Sequence, residues 1–135
     1  MVPLAFVLTP NVPKAEELTG RKVRDLADAR RAAYDLVHEL GAGSVVVKGG
    51  HLDGPAVDIF YDGHHFRELS AVRVETTSTH GTGCTFASAV AAYLARGKSP
   101  VAAVVGAKRY VTQALKRAFP MGKGHGPLNH LYRLW

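Results

Sequence analysis

Apolar residues arrive along this chain in two rhythms. From Val23 to Leu40 they recur at helical spacing. Leu26, Ala29, Ala33, Leu36, Val37 and Leu40 share one face, and Gly41 closes the run. The spacing returns after Ser99-Pro100 in Val101, Val104, Val105, Val111 and Leu115, with Ser99 as N-cap, Pro100 at the first helical position and Pro120 as the stop. Elsewhere the apolar residues form short unbroken blocks. Leu4 to Leu8, ended by Thr9-Pro10, and Ser44 to Lys48, with three consecutive valines, predict strands buried on both faces. Asn11 to Thr19 predicts a short helix closed by Gly20. Ala56 to Tyr61 and His64 to Leu69 flank Asp62-Gly63, a hairpin signal, and Val72 to Val74 extends the second arm or starts a third. A polar loop, Glu75 to Gly83, then opens a helix predicted over Thr85 to Ala95, with Phe86, Val90 and Tyr93 or Leu94 inward.

Strand, helix, strand in that order predicts a βαβ unit. The fold class expected is therefore α/β, a mostly parallel sheet flanked by helices, with one β-hairpin. The length of 135 residues suits a single domain. A hydrophobic fraction of 47% supplies a core, and no apolar run is long enough to span a bilayer.

The net charge of +6 admits nucleic acid, an anionic membrane surface or a polyanion such as ATP. The densest basic stretch, Lys108, Arg109, Lys116 and Arg117, is diluted by apolar residues and lacks interleaved aromatics. Neither nucleic acid nor membrane is therefore the expected partner. Cys84 is the lone cysteine, so no intrachain disulfide can form. The start, Met1-Val2-Pro3-Leu4, has no basic region or cleavage pattern. A cytoplasmic protein is expected.

Chemistry concentrates in Thr79-His80-Gly81-Thr82-Gly83-Cys84. Glycines let successive N–H groups converge, and the helix that follows adds unpaired donors. Such a loop can hold phosphoryl oxygens, or it can simply turn the chain into the helix. Cys84 at the helix start is placed to accept a hydroxyl proton as a thiolate, or to pack as a small apolar residue. Lys48 ends a strand, where ligands of α/β folds collect, yet lysines there also snorkel to solvent. Lys108 interrupts an apolar stripe and invites the same two readings. The histidines lack zinc spacing; His64-His65 would point to opposite faces of a strand.

Three runs together resemble the hydroxymethylpyrimidine/phosphomethylpyrimidine kinases of thiamin biosynthesis, a branch of the ribokinase-like kinases. They are Val46-Val47-Lys48-Gly49-Gly50-His51, Thr79-His80-Gly81-Thr82-Gly83-Cys84-Thr85 and Gly122-Lys123-Gly124-His125-Gly126-Pro127-Leu128. Thr9-Pro10-Asn11-Val12-Pro13 and Leu18-Thr19-Gly20 also fit, so the similarity spans the chain. Most of the wider group carries aspartate where this branch has cysteine.

The resemblance implies the C-terminal half of a ribokinase-like fold and ATP-dependent phosphorylation of hydroxymethylpyrimidine and its monophosphate. By position, Gly81, Thr82 and Gly83 would form the anion hole and Cys84 the catalytic base. Lys48, Thr79 and Lys108 would meet the nucleotide. Asn11 would belong to the magnesium-organising N-x-x-E motif, but Lys14 stands where the acid belongs. The family's chains are about twice as long, and their glycine-rich substrate-binding half has no counterpart here. The expectation is a chain inactive alone, binding a nucleotide phosphate and forming a homodimer or joining a chain that supplies the missing half. The alternatives are a non-catalytic nucleotide- or protein-binding remnant, half of a split kinase, or a pyridoxal-kinase-like specificity.

Overall fold

The computed structural model describes residues 1–50 and 52–134; His51 of the first motif run and Trp135 lie outside the described residues. The chain divides into two compact units, Met1–Val72 and the segment from Arg73 onward.

The first unit begins with a 3-10 turn at Val2–Leu4 and helix α1, Val12–Thr19. Asn11 caps α1 by accepting the Lys14 N–H at 2.9 Å, and Gly20 ends it at φ 71°. Helix α2, Leu26–His38, starts three residues later than its apolar spacing predicts. Asp25 is the cause: its carboxylate accepts the Asp28 N–H at 2.8 Å and fixes the cap there. Val23 lies outside the helix yet is buried, its N–H held by Glu16 at 2.9 Å. Strands β1 (Val45–Val47), β2 (Ala56–Tyr61) and β3 (Phe66–Ala71) follow. Alanines 29, 32 and 33 with Leu36 press α2 against Val45, Val47 and Ile59, and all are buried. Asp35, buried on α2, is paired with Arg21, whose pKa that hydrogen bond raises. Arg30 of α2 pairs with Glu68 of β3.

The expected mostly parallel sheet is corrected. The sheet runs β1-β2-β3, and both pairings are antiparallel. Among the described residues of this unit, parallel pairing survives only as isolated bridges, Leu8 to Val45 and Asn11 to Lys48. The Leu4-to-Leu8 strand is corrected with it. Leu4 is 83% exposed and Phe6 64%. Pro3 starts the 3-10 turn, which uses the segment's first residues for local bonds. The hairpin forms, but its second arm is Phe66–Ala71 rather than His64 to Leu69, His64 and His65 lie in the connecting loop, and Val72 to Val74 belong to no strand. Asp62 accepts the His64 and His65 N–H groups at 2.8 and 2.7 Å, and Gly63 adopts φ 92°. These two bonds hold the Asp62 carboxyl below its ordinary pKa.

The second unit holds α3, Thr82–Ala95, and α4, Pro100–Lys116, packed on one another. Ser99 caps α4 and Pro100 opens it, as the sequence predicts. The buried face of α4 is mostly alanine: Ala103, Val104, Ala107, Val111 and Ala114. Val101, Val105 and Leu115 are only half-buried. Close helix approach selects small residues here: a Cβ on Gly106 would lie 2.9 Å from the Tyr93 ring. Helix α4 ends at Lys116, before Pro120, and Asn129 finishes it by donating from its backbone to Ala114 and from its side chain to Arg117. No helix among the described residues is long and apolar enough to cross a membrane.

Candidate functional site

Helix α3 begins at Thr82, so Gly83 and Cys84 lie inside its first turn. Gly81 is the N-cap residue, at φ 82°, and having no side chain it leaves α3 without a side-chain cap. Thr82 turns back instead: its N–H and Oγ1 both donate to the Thr79 carbonyl, at 3.3 and 2.6 Å. The other first-turn N–H groups, those of Gly83 and Cys84, have no partner within the helix. They form a compact set of donors at the positive end of a fourteen-residue helix. Cys84 sits in that turn as an exposed, free thiol. Exposure excludes the reading of Cys84 as a small buried apolar residue.

Two of the sequence motifs meet within this unit. The segment before the loop pairs with the glycine-rich tail: His80 donates to the Gly126 carbonyl at 3.1 Å and bridges to Pro127. His125 Nδ1 lies 3.3 Å from the Thr77 carbonyl. Ser78 is buried beneath the tail and donates to the Phe119 carbonyl at 3.3 Å. A Cβ at Gly126 would come within 2.8 Å of Ser78 Oγ. The tail therefore braces the loop, and Gly126 permits the contact.

A cleft of about 490 Å³ runs from Cys84 along α3, past Ser88 and Ala92 to Arg96, with Tyr110, His130 and Arg133 opposite. His130 Nε2 is 2.9 Å from Thr85 Oγ1, and the Tyr110 hydroxyl donates to the His130 carbonyl at 2.7 Å. Arg133 donates to the Tyr132 hydroxyl, which raises its pKa. Periodicity did not announce this cleft, because its arginines and histidine come from two separate stretches of chain, Arg96 and His130 to Arg133.

The remaining predicted residues lie as follows. Thr79 is exposed in the loop, and Lys108 is half-buried on α4. Lys48 and Asn11 belong to the first unit, where the parallel bridge sets them side by side. The Lys48 N–H donates to the Pro10 carbonyl at 2.9 Å. Gly49, just beyond, donates to the buried Asp58 at 3.0 Å, and a Cβ there would lie 1.9 Å from the Val57 carbonyl oxygen. Asp58, which the sequence reading passed over, thus fixes the backbone that carries Lys48. Asn11 does not fit a cation site. Its side-chain oxygen caps α1, and the Lys14 ammonium lies 2.6 Å from Glu17 beside it. Among the described residues no three potential ligands cluster.

Comparison with known proteins bears on the whole chain. The family model described as phosphomethylpyrimidine kinase matches residues 1–129, running through both units. The thiamine biosynthesis bifunctional protein ThiED of Geobacter sulfurreducens is 51% identical over 132 residues, 97% of this chain and 27% of that one. The hydroxymethylpyrimidine/phosphomethylpyrimidine kinase of Streptomyces coelicolor is 47% identical over 99% of this chain and 49% of its own length. Among solved structures, an ADP complex of Bacillus subtilis pyridoxal kinase superposes with a TM-score of 0.92 at 41% identity, covering 98% of this chain and 51% of that chain. This chain thus spans about a quarter to about half of the length of each of these three relatives.

Proposed function

This chain belongs to the phosphomethylpyrimidine kinase family, and from that premise we propose that it is the nucleotide-phosphate half of an ATP-dependent kinase acting on hydroxymethylpyrimidine and its monophosphate. The observation that carries the reading is the start of α3: a left-handed Gly81, first-turn donors without a side-chain cap, and an exposed Cys84 beside them. Gly81, Thr82 and Gly83 would cradle the transferred phosphoryl group. The substrate hydroxyl would give its proton to the Cys84 sulfur. Its oxygen would bond to the γ-phosphorus as the bond to the ADP oxygen breaks. Lys48, Thr79 and Lys108 would hold the nucleotide. Magnesium would come with the nucleotide phosphates, and no step is assigned to it through Asn11.

The two units are taken as one partial domain, located in the reducing cytoplasm, where the free Cys84 thiol persists. The chain would need a partner. Leu8 donates to Ser44 at 2.9 Å and accepts from Val46 at 2.8 Å, so the backbone groups of its neighbours Val7 and Thr9 turn the other way. Their backbone groups make no hydrogen bond among the described residues. A strand from the missing half, or from a second copy, would pair there. A pyridoxal-kinase-like specificity is the second reading, favoured by the B. subtilis neighbour.

The isolated chain should not turn over, because positioning dominates phosphoryl transfer and this chain spans half of its relatives. A coupled ADP-release assay with the pyrimidine checks it. Turnover on the order of 1 per second would contradict the reading. In a calorimetric titration ADP should still bind, and Lys48→Ala should weaken it about tenfold; indifference to that substitution would remove Lys48 from the site.

A further inference from the structure

Among the described residues the buried carboxyl side chains are those of Asp35 and Asp58. Burying such a group is costly unless strong partners hold it. Asp35 holds the Arg21 guanidinium. Asp58 holds a backbone group instead, the Gly49 N–H, at 3.0 Å. That bond lies where the sheet gives out. Val45, Val46 and Val47 pair with Tyr61, Phe60 and Ile59, and the same register continued would set Lys48 opposite Asp58 and Gly49 opposite Val57. Strand β1 stops at Val47, and a side chain of β2 takes hold of the chain beyond it. Gly49 is pressed so closely on β2 that a Cβ would lie 1.9 Å from the Val57 carbonyl oxygen. Lys48 therefore stands between two peptide planes that are both held. The plane before it is fixed by its own N–H, which donates to the Pro10 carbonyl at 2.9 Å. The plane after it, shared with Gly49, is fixed by Asp58. Peptide units are rigid, so holding both planes sets φ and ψ of Lys48 and with them the direction of its Cα–Cβ bond.

From this geometry we infer that Asp58 is a positioning residue for phosphate binding: through the Gly49 N–H it aims the Lys48 ammonium at the nucleotide phosphates. A lysine is a point charge on a long flexible stem. A swing at the root of that stem moves the ammonium by more than it moves the backbone. The bond from Asp58 to Gly49 removes that swing at the Lys48 root. The inference rests on the nucleotide reading of Lys48 in the previous subsection and adds the residue that sets its aim. The rival role for Asp58 is purely structural, a buried acceptor that satisfies Gly49 and steadies the end of β1. The two roles differ in one respect. A positioning role is worth nothing to the nucleotide once the Lys48 ammonium is gone, whereas a structural role is indifferent to it.

A double-mutant cycle read by calorimetric titration with ADP is the test. Asp58→Ala alone should weaken ADP binding about fivefold, and in the Lys48→Ala background by less than about twofold. Asp58→Asn keeps an acceptor oxygen for Gly49 and should weaken binding less, about threefold, again only while Lys48 is present. That variant carries the cycle if Asp58→Ala fails to fold. Melting temperature is the contrasting readout, since it should fall with Asp58→Ala by the same amount in either background. A loss of ADP affinity that persists undiminished in the Lys48→Ala background would overturn the inference and leave Asp58 a structural residue. Unchanged ADP binding in the folded Asp58 variants would overturn it as well. So would tighter binding, by making the Asp58 charge an opponent of the phosphates. A wild-type chain that binds ADP but ignores Lys48→Ala would remove Lys48 from the site and the inference with it, leaving the nucleotide reading standing. A wild-type chain that does not bind ADP would sink both.

Discussion

The two units of this chain spend their charge in opposite ways. Up to Val72 there are eight lysines and arginines and ten carboxylates, and several of them pair locally. Arg21 meets the buried Asp35, Arg30 meets Glu68, and Lys14 meets Glu17. Beyond it, nine cations face one carboxylate. The first unit also gathers apolar residues into the α2 and β1–β2 core, though Leu4 and Phe6 stay exposed, whereas the second leaves much of α3 bare. A cationic region with an open helix start suits the phosphate contact proposed above. The surplus charge of the whole protein is therefore a property of the part that carries the glycine-rich loop.

The largest effect should come from the first unit. Gly49→Ala places a Cβ 1.9 Å from the Val57 carbonyl oxygen, a backbone atom that cannot yield cheaply. A loss of about 3 kcal/mol or more is expected in chemical denaturation. If hydrogen exchange shows α3 and α4 still protected in that variant, the units are energetically separate, and the comparison sharpens. Next is Gly126→Ala, where the clash at 2.8 Å is with the small Ser78 hydroxyl. About 1–3 kcal/mol is expected, together with weaker ADP binding, because the tail that braces His80 is displaced. Unchanged ADP affinity would show that the tail does not shape the loop.

Much of the fold was legible in local signals. The cap at Asn11, the stop at Gly20, the start at Ser99-Pro100 and the Asp62-Gly63 turn depend on residues within a few positions of each other, and the structure has each of them. Asp25 was also a local signal, but the apolar spacing from Val23 masked it. What failed was nonlocal. Leu4 to Leu8 has the composition of a buried strand, but becoming one needs neighbours on both sides, and only β1 is there. Within the site, the glycine loop and the free thiol were readable because they are contiguous. The return of Gly126 onto Ser78 was not, since the two lie far apart in sequence and the tail shows no periodicity. The segregation of charge was present in the sequence all along, but it takes the boundary after Val72 to reveal it.

A smaller effect separates the units by pH. Asp62 is stabilised as a carboxylate by two backbone N–H groups, so its folded pKa lies below its ordinary 3.8. That contribution is fully present above the unfolded value and is lost as pH falls through the folded one. Amide exchange in the β2–β3 hairpin should therefore quicken as pH drops below about 4 relative to an Asp62→Asn variant. Helices α3 and α4, with Glu75 the lone carboxylate in their unit, should show no such loss. Equal acid sensitivity in both units would break the contrast.

The central claim is that the start of α3 is an anion site in its own right, and Gly83→Asp tests it most directly. An aspartate in the first turn favours the helix, both over glycine and through the dipole. The same carboxylate would repel a phosphate at those donors. Melting temperature and affinity for AMP-PCP, a non-hydrolysable ATP analogue that keeps the third phosphate, should thus move in opposite directions. The expected variant is at least as heat-stable as the wild type, and its AMP-PCP binding, measured by calorimetry, falls at least tenfold. A stable variant that binds AMP-PCP as the wild type does would contradict the site.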